Sequence, residues 1–233
     1  MTTAGNAEVI RVKRSRTFYS VLLLVFLLVV GGAYYLHAQG SNSIAEPQIK
    51  FNATSLDSTG PNMTLVYKAM EYSGKTLVQN STRTFIITRE GNTIKILQRF
   101  EIEWHVPDHS IFTGETRAEV VGSNPIVYQP DGSIFVEGEQ AEVELFRVGY
   151  PYSPVFERLK AEKGYTLRLC CANLTVVDVR IINGRECIIV KAETNDATLK
   201  LAIDAKTRLL LWDYGVSRDV RGSWWEEWLV SSK

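Results

Sequence analysis

The stretch NGRECIIVKAETNDATLKLAIDAKTRLLLWDYG, residues 183–215, decides the fold class. Leu199, Leu201 and Ile203 alternate with Thr198, Lys200 and Asp204. A period of two puts successive side chains on opposite faces of a strand, so one face is apolar and the other solvated. Asn183-Gly184 sits between two β-rich runs, and a type I′ turn, which needs positive φ at both central positions, favours that dipeptide. Upstream, Val177, Val179 and Ile181 alternate with Asp178 and Arg180, so the turn joins two strands.

The same period recurs earlier in the chain. Ile94, Ile96, Phe100, Ile102 and Trp104 share one parity, with Lys95, Arg99, Glu101 and Glu103 on the other. Asp131-Gly132 and Glu90-Gly91-Asn92 mark further turns. Strands joined by tight turns pair with their neighbours as an antiparallel meander. One segment departs from the pattern. In Ser153-Pro154-Val155-Phe156-Glu157-Arg158-Leu159, Ser153 reads as an N-cap and Pro154 sits in the first turn, while Val155, Phe156 and Leu159 share a helical face and Gly164 is a stop. The expected class is mainly β (α+β): a curved antiparallel sheet with a short covering helix.

Residues 183–215 resemble the strand-turn-strand series of the LolA-like superfamily, which includes lipoprotein carriers and RseB-type periplasmic sensors. The likeness lies in Asn183-Gly184-Arg185 opening a strand, then Leu201-Ala-Ile203-Asp204, Lys206-Thr207, and an apolar strand through Trp212. The resemblance implies an unclosed, strongly curved antiparallel sheet with helices over its mouth, holding acyl chains in an apolar cavity. On that implication Ile94, Ile96, Leu199, Leu201 and Ile203 are candidates for the inner face.

The N-terminal part sets where this domain works. Phe18 to Leu36 is free of formal charge, and as a helix at ~1.5 Å per residue it spans ~28 Å, close to the thickness of a bilayer's hydrocarbon. Arg11, Lys13, Arg14 and Arg16 precede it and no cation follows closely, which orients the N-terminus toward the cytoplasm. Tyr34 and Tyr35 fall where an outer interfacial belt lies. Cleavage after Ala38 would leave Leu36 at the −3 position, where a small residue is needed. The expected organisation is therefore a cytoplasmic basic segment (1–17), a retained single-pass transmembrane signal-anchor (18–38), a polar linker (39–62) and an extracytoplasmic β-rich domain (63–233) at the cell membrane. A permanent anchor suits sensing or local hand-off better than shuttling.

Composition and motifs narrow the function. Removing the four cations and single acid before Glu46 from totals of 26 each leaves 22 basic and 25 acidic residues, so no basic field attracts nucleic acid. Asn52, Asn62, Asn80 and Asn173 each open a sequon with Thr in third place, making them glycosylation candidates. Cys170, Cys171 and Cys187 are the disulfide candidates: Cys187 pairs with either member of the adjacent pair, or all three are buried thiols. His105 and His109 bracket Asp108, but Pro107 and the preceding strand favour a solvated turn, so no metal set is expected. Trp224, Trp225, Trp228 and Leu229 fall on one face at helical spacing, with Glu226 and Glu227 opposite, giving either a ligand-contacting patch or a core seal. No nucleophile elbow, phosphate loop, triad or cofactor motif is present. The expectation is a non-enzymatic structural or interaction module of the envelope, with binding of a lipid or lipidated partner as the alternative and an extracytoplasmic hydrolase as an unsupported third.

Overall fold

A computed structural model describes residues 47–53, 56, 62–106, 109–220 and 222–232. The expected cytoplasmic segment and membrane span lie outside the described residues. Among the described residues no helix is long and apolar enough to cross a membrane.

The first half of the domain runs β1 (Asn62–Ser73), β2 (Thr76–Glu90), β3 (Thr93–Trp104), β4 (Ser110–Val121), β5 (Asn124–Tyr128) and β6 (Ile134–Glu137). Two helices follow, α1 (Glu139–Arg147) and α2 (Pro154–Arg158). The second half runs β7 (Thr166–Arg168), β8 (Ala172–Ile182), β9 (Arg185–Thr194), β10 (Ala197–Asp204), β11 (Leu210–Ser217) and β12 (Ser223–Ser232). All the strands form one curved antiparallel sheet in the order β6-β5-β4-β3-β2-β1-β12-β11-β10-β9-β8-β7. The chain steps outward from β1 to one edge, crosses through the helices, and steps back inward until β12 pairs with β1. Its first and last strands are thus the centre of the sheet, and its edges are the short strands β6 and β7. Short edges limit unwanted pairing with other chains.

The turns follow the local chemistry. Asn183 and Gly184 have φ of 50° and 77°, so the two-residue β8–β9 turn is of the mirror-image type that the dipeptide favours. After β10, one Asp204 carboxylate oxygen accepts from the Thr207 backbone N–H at 2.6 Å and the Thr207 hydroxyl at 2.8 Å, while the other accepts from Arg185 Nε at 2.5 Å. These bonds close the turn between β10 and β11. Burial pushes the Asp204 carboxyl up, but the bonds from Arg185 and Thr207 outweigh it and hold it below the usual carboxylate range.

α2 forms where expected, with Val155, Phe156 and Leu159 buried. It ends at Arg158 rather than running to Gly164, because Leu159 returns to extended φ/ψ. Ser153 does not cap it; its hydroxyl donates to the Glu142 carbonyl at 3.0 Å, tying the two helices. α1 is the longer cover. Ala141 and Leu145 join the core over β1–β5, with Leu65, Phe85, Ile96 and Ala118. Val143 and Phe146 join the core over β8–β11, with Val176, Val190 and Leu201. Burying side chains of this size contributes ~1.5–3 kcal/mol each.

Two expectations change. The tail is not helical: Ser223–Ser232 is β12, locked between β1 and β11. Trp224, Glu226 and Trp228 therefore share one face, and Trp225, Glu227 and Leu229 the other. Part of the expected 39–62 linker also belongs to the domain. Phe51, Ala53 and Leu56 are buried, Asn52 N–H donates to the Leu229 carbonyl at 2.9 Å, and Lys50 pairs with Glu226 at 2.8 Å while lying 3.9 Å from the Trp228 ring centroid.

Candidate functional site

Strand parity brings one row of side chains to the helix-bearing face. Ser81, Arg83, Phe85 and Ile87 on β2 stand opposite Ile102, Phe100, Gln98 and Ile96 on β3, which stand opposite Phe112, Gly114, Thr116 and Ala118 on β4. Toward Ile87 and Ala118 this row is sealed beneath α1 and Tyr150. α1 ends at Arg147, and toward Ile102 and Phe112 the row has no helical cover. A cavity of about 450 Å³ opens there, walled by Phe100, Ile102, Val127, Phe135 and Val148, with Arg83, Gln98, Thr116, Gln129 and Glu144 among its polar members. Phe112 and Phe135 are 57% and 58% exposed, so the apolar surface continues out of the cavity.

The polar lining is held in place by its own bonds. Thr116 donates to Gln98 Oε1 at 2.8 Å and lies 2.9 Å from the Tyr150 hydroxyl. Arg83 Nη1 donates to the Val148 carbonyl at 2.6 Å and to Glu227 Oε2 at 3.0 Å. This close packing requires Gly149, which has φ of 77° and where a Cβ would lie 2.1 Å from Glu227 Oε2. Behind the arginine, Glu227 is directly paired with Asp213 on β11. The two are 2% and 1% exposed, and among the described residues neither Asp213 carboxylate oxygen nor Glu227 Oε1 has a side-chain hydrogen-bond partner. Burial raises Glu227 to about 7, against the pull of Arg83. Burial, with the nearby Glu227 charge second, lifts Asp213 well above the carboxylate range. Near neutral pH the pair therefore holds protons that ordinary carboxylates release.

The residues expected on the inner face all lie on the helix-bearing side, but they do not form the cavity. Leu199, Leu201 and Ile203 are covered by the helices. Ile96 is buried in the other core, and Ile94 borders a smaller, more polar pocket with Arg89 and Arg208. Sequence reasoning missed Arg83, Gln98 and Val127. Phe100 and Ile102 were legible as continuing the Ile94–Ile96 parity.

In the structure Cys170, Cys171 and Cys187 are not joined by a disulfide, and of the three only Cys187 is buried. Cys187 pairs in register with Arg180, whereas Cys171 adjoins Ala172 at the far end of β8. Strand rise of ~3.3 Å per residue keeps them apart. Cys170 and Cys171 instead bring their sulfurs to 3.0 Å in the β7–β8 turn. Asn52, Asn62 and Asn173 are exposed, while Asn80 is half-buried and its side-chain amide contacts Glu103 and His105.

No family model and no curated protein matches the chain. Solved structures similar to it include a β-barrel-like protein of a domain of unknown function from Brucella abortus, with 8% identity, 74% of this chain and 97% of that one covered, and a TM-score of 0.45. A putative outer membrane lipoprotein-sorting protein domain from Vibrio parahaemolyticus aligns at 7% identity over 74% of this chain and 84% of its own, with a TM-score of 0.27.

Proposed function

We propose that the domain is a non-enzymatic binding module that takes up an apolar chain, such as the acyl group of a lipid or of a lipidated partner, in the cavity between β2–β5 and the end of α1. One observation carries this reading: the helix-bearing face is sealed over one half of the sheet and left as an apolar cavity over part of the other. Ligand cavities commonly span ~300–1,000 Å³ with mostly apolar walls and a few placed polar groups. At ~0.8 kcal/mol per buried methylene, even a short acyl segment gains several kcal/mol there. Arg83, Gln98 and Thr116 would orient its polar end. With the N-terminal span acting as a membrane anchor and the domain outside, this becomes a tethered lipid sensor or hand-off module.

The test uses residues 44–233, the portion that forms one compact unit. A fluorescent fatty acid should bind and be displaced by unlabelled acyl chains, and Ile102→Glu should weaken binding at least tenfold while leaving circular dichroism unchanged. Absence of saturable binding, together with a lipid-free extract of the purified domain, would leave the apolar surface as a protein-docking face alone.

A further inference from the structure

We propose that Glu103, His105 and His109 form a binding site for a divalent transition metal, Zn²⁺ by ligand chemistry, at the β3–β4 hairpin. The site is on the opposite face of the sheet from the acyl cavity and stands independently of it. Glu103 and His105 are two residues apart and so leave the end of β3 on the same side, and His109 returns immediately before β4. One ligand atom from each lies within 4.8 Å of the others. His109 Nε2 sits 2.7 Å from Glu103 Oε1, and the two imidazole centroids are 5.6 Å apart at 75°.

The arrangement is supported from a neighbouring strand. Asn80 on β2 is the cross-strand partner of Glu103. Its amide nitrogen donates to Glu103 Oε2 at 3.1 Å and lies 3.1 Å from His105 Nε2. The His105 backbone N–H donates to the Val78 carbonyl at 2.8 Å, which extends the β2–β3 pairing up to the ligand itself. Two of the three ligands are thus fixed by sheet structure, and only the exposed His109 needs to adjust.

The donor set selects the metal class. Zn²⁺ accepts His nitrogen and carboxylate oxygen at ~2.0–2.2 Å, and two His with one carboxylate leaves a fourth position for water or an incoming group. Two imidazoles disfavour Mg²⁺ and Ca²⁺, which prefer all-oxygen shells. A bound ion would also clamp the base of the hairpin, beside the exposed apolar side chains of Val106 and Ile111.

The test titrates full-length protein in detergent with Zn²⁺ by calorimetry in excess Mg²⁺, and with Co²⁺ by visible absorption. The expected result is one site, with the intense absorption of tetrahedral Co²⁺ displaced by Zn²⁺. His105→Ala and His109→Ala should each weaken binding at least tenfold, and Asn80→Ala should weaken it ~10-fold as loss of an orienting partner does. The pair Cys170→Ser/Cys171→Ser serves as the control and should leave affinity unchanged. The proposal is overturned by no binding at millimolar Zn²⁺, or by affinity that survives the double histidine change. Binding lost in the cysteine variant alone also overturns it.

Discussion

At the residue scale, the strongest constraint is the pair Asp213 and Glu227, two carboxyl groups facing each other inside the sheet with Arg83 from β2 and the buried Tyr67 beside them. An acid whose value rises on folding binds more protons folded than unfolded, so stability falls as pH climbs through the interval between the two values. For Glu227 that interval runs from its ordinary 4.5 to about 7. The domain should therefore melt at a lower temperature in mildly alkaline buffer than in mildly acidic buffer, and Glu227→Gln should flatten this dependence. Calorimetry across that window checks it; a melting temperature that rises from acid to alkaline pH would contradict it. Arg83→Met strands the Glu227 charge and should cost ~3–5 kcal/mol above the window, less below it. Gly114 offers a second test. A Cβ there would lie 2.6 Å from the Phe100 ring, so Gly114→Ala should swing that ring into the cavity and weaken acyl binding while the fold survives.

At the element scale, β12 explains the tryptophans. Trp225 lies across the backbone of Gly215 on β11, where a Cβ would meet the indole at 2.1 Å. Trp224 stacks on Tyr72 of β1 at 4.1 Å, with the rings 7° from parallel. Each indole thus fastens β12 to a different neighbour. Gly215→Val forces the indole off its site and should destabilise by ~1–3 kcal/mol, as overpacking does, measurable by urea unfolding. The spacing of Trp224, Trp225, Trp228 and Leu229 fits a helix and a strand almost equally well in so short a segment. Pairing with both β1 and β11 decided against the sequence reading, and it buries Glu226 and Glu227, which a helix would have solvated. Glu226 instead accepts from Trp212 Nε1 at 2.8 Å and from Lys50. α1 was missed for a related reason. Only nine residues long, it lies between β6 and a turn at Gly149, with no side-chain N-cap to announce it.

At the scale of the whole molecule, the two meanders join into one sheet where β1 pairs with β12, so the sheet's continuity depends on a C-terminal strand. Removing residues from Ser223 onward exposes the inner edges of both halves and takes away Glu227, Trp225 and Leu229 together. The shortened chain should lose cooperative thermal unfolding and aggregate; a sharp transition near that of the intact domain would show that the halves fold separately. Local chemistry was legible along the chain because it depends on near neighbours. The alternating strands, the Asn183-Gly184 turn and α2 all follow from side-chain period and backbone preference within a few residues. What the sequence by itself determined is a sheet of hairpins with a helix laid upon it. Tertiary structure decided which apolar positions are filled and which are left open: Leu201 and Ile203 are covered by the helices, whereas Phe100 and Ile102 lie past the end of α1 and border the cavity. It also decided which charges meet. Arg83 and Glu227 are brought together by the pairing of the first strand with the last, as are Lys50 and Glu226 by the N-terminal segment crossing β12. The physical reason is that period and turn chemistry act over a few residues, while contacts between distant strands depend on the order in which the whole sheet is assembled.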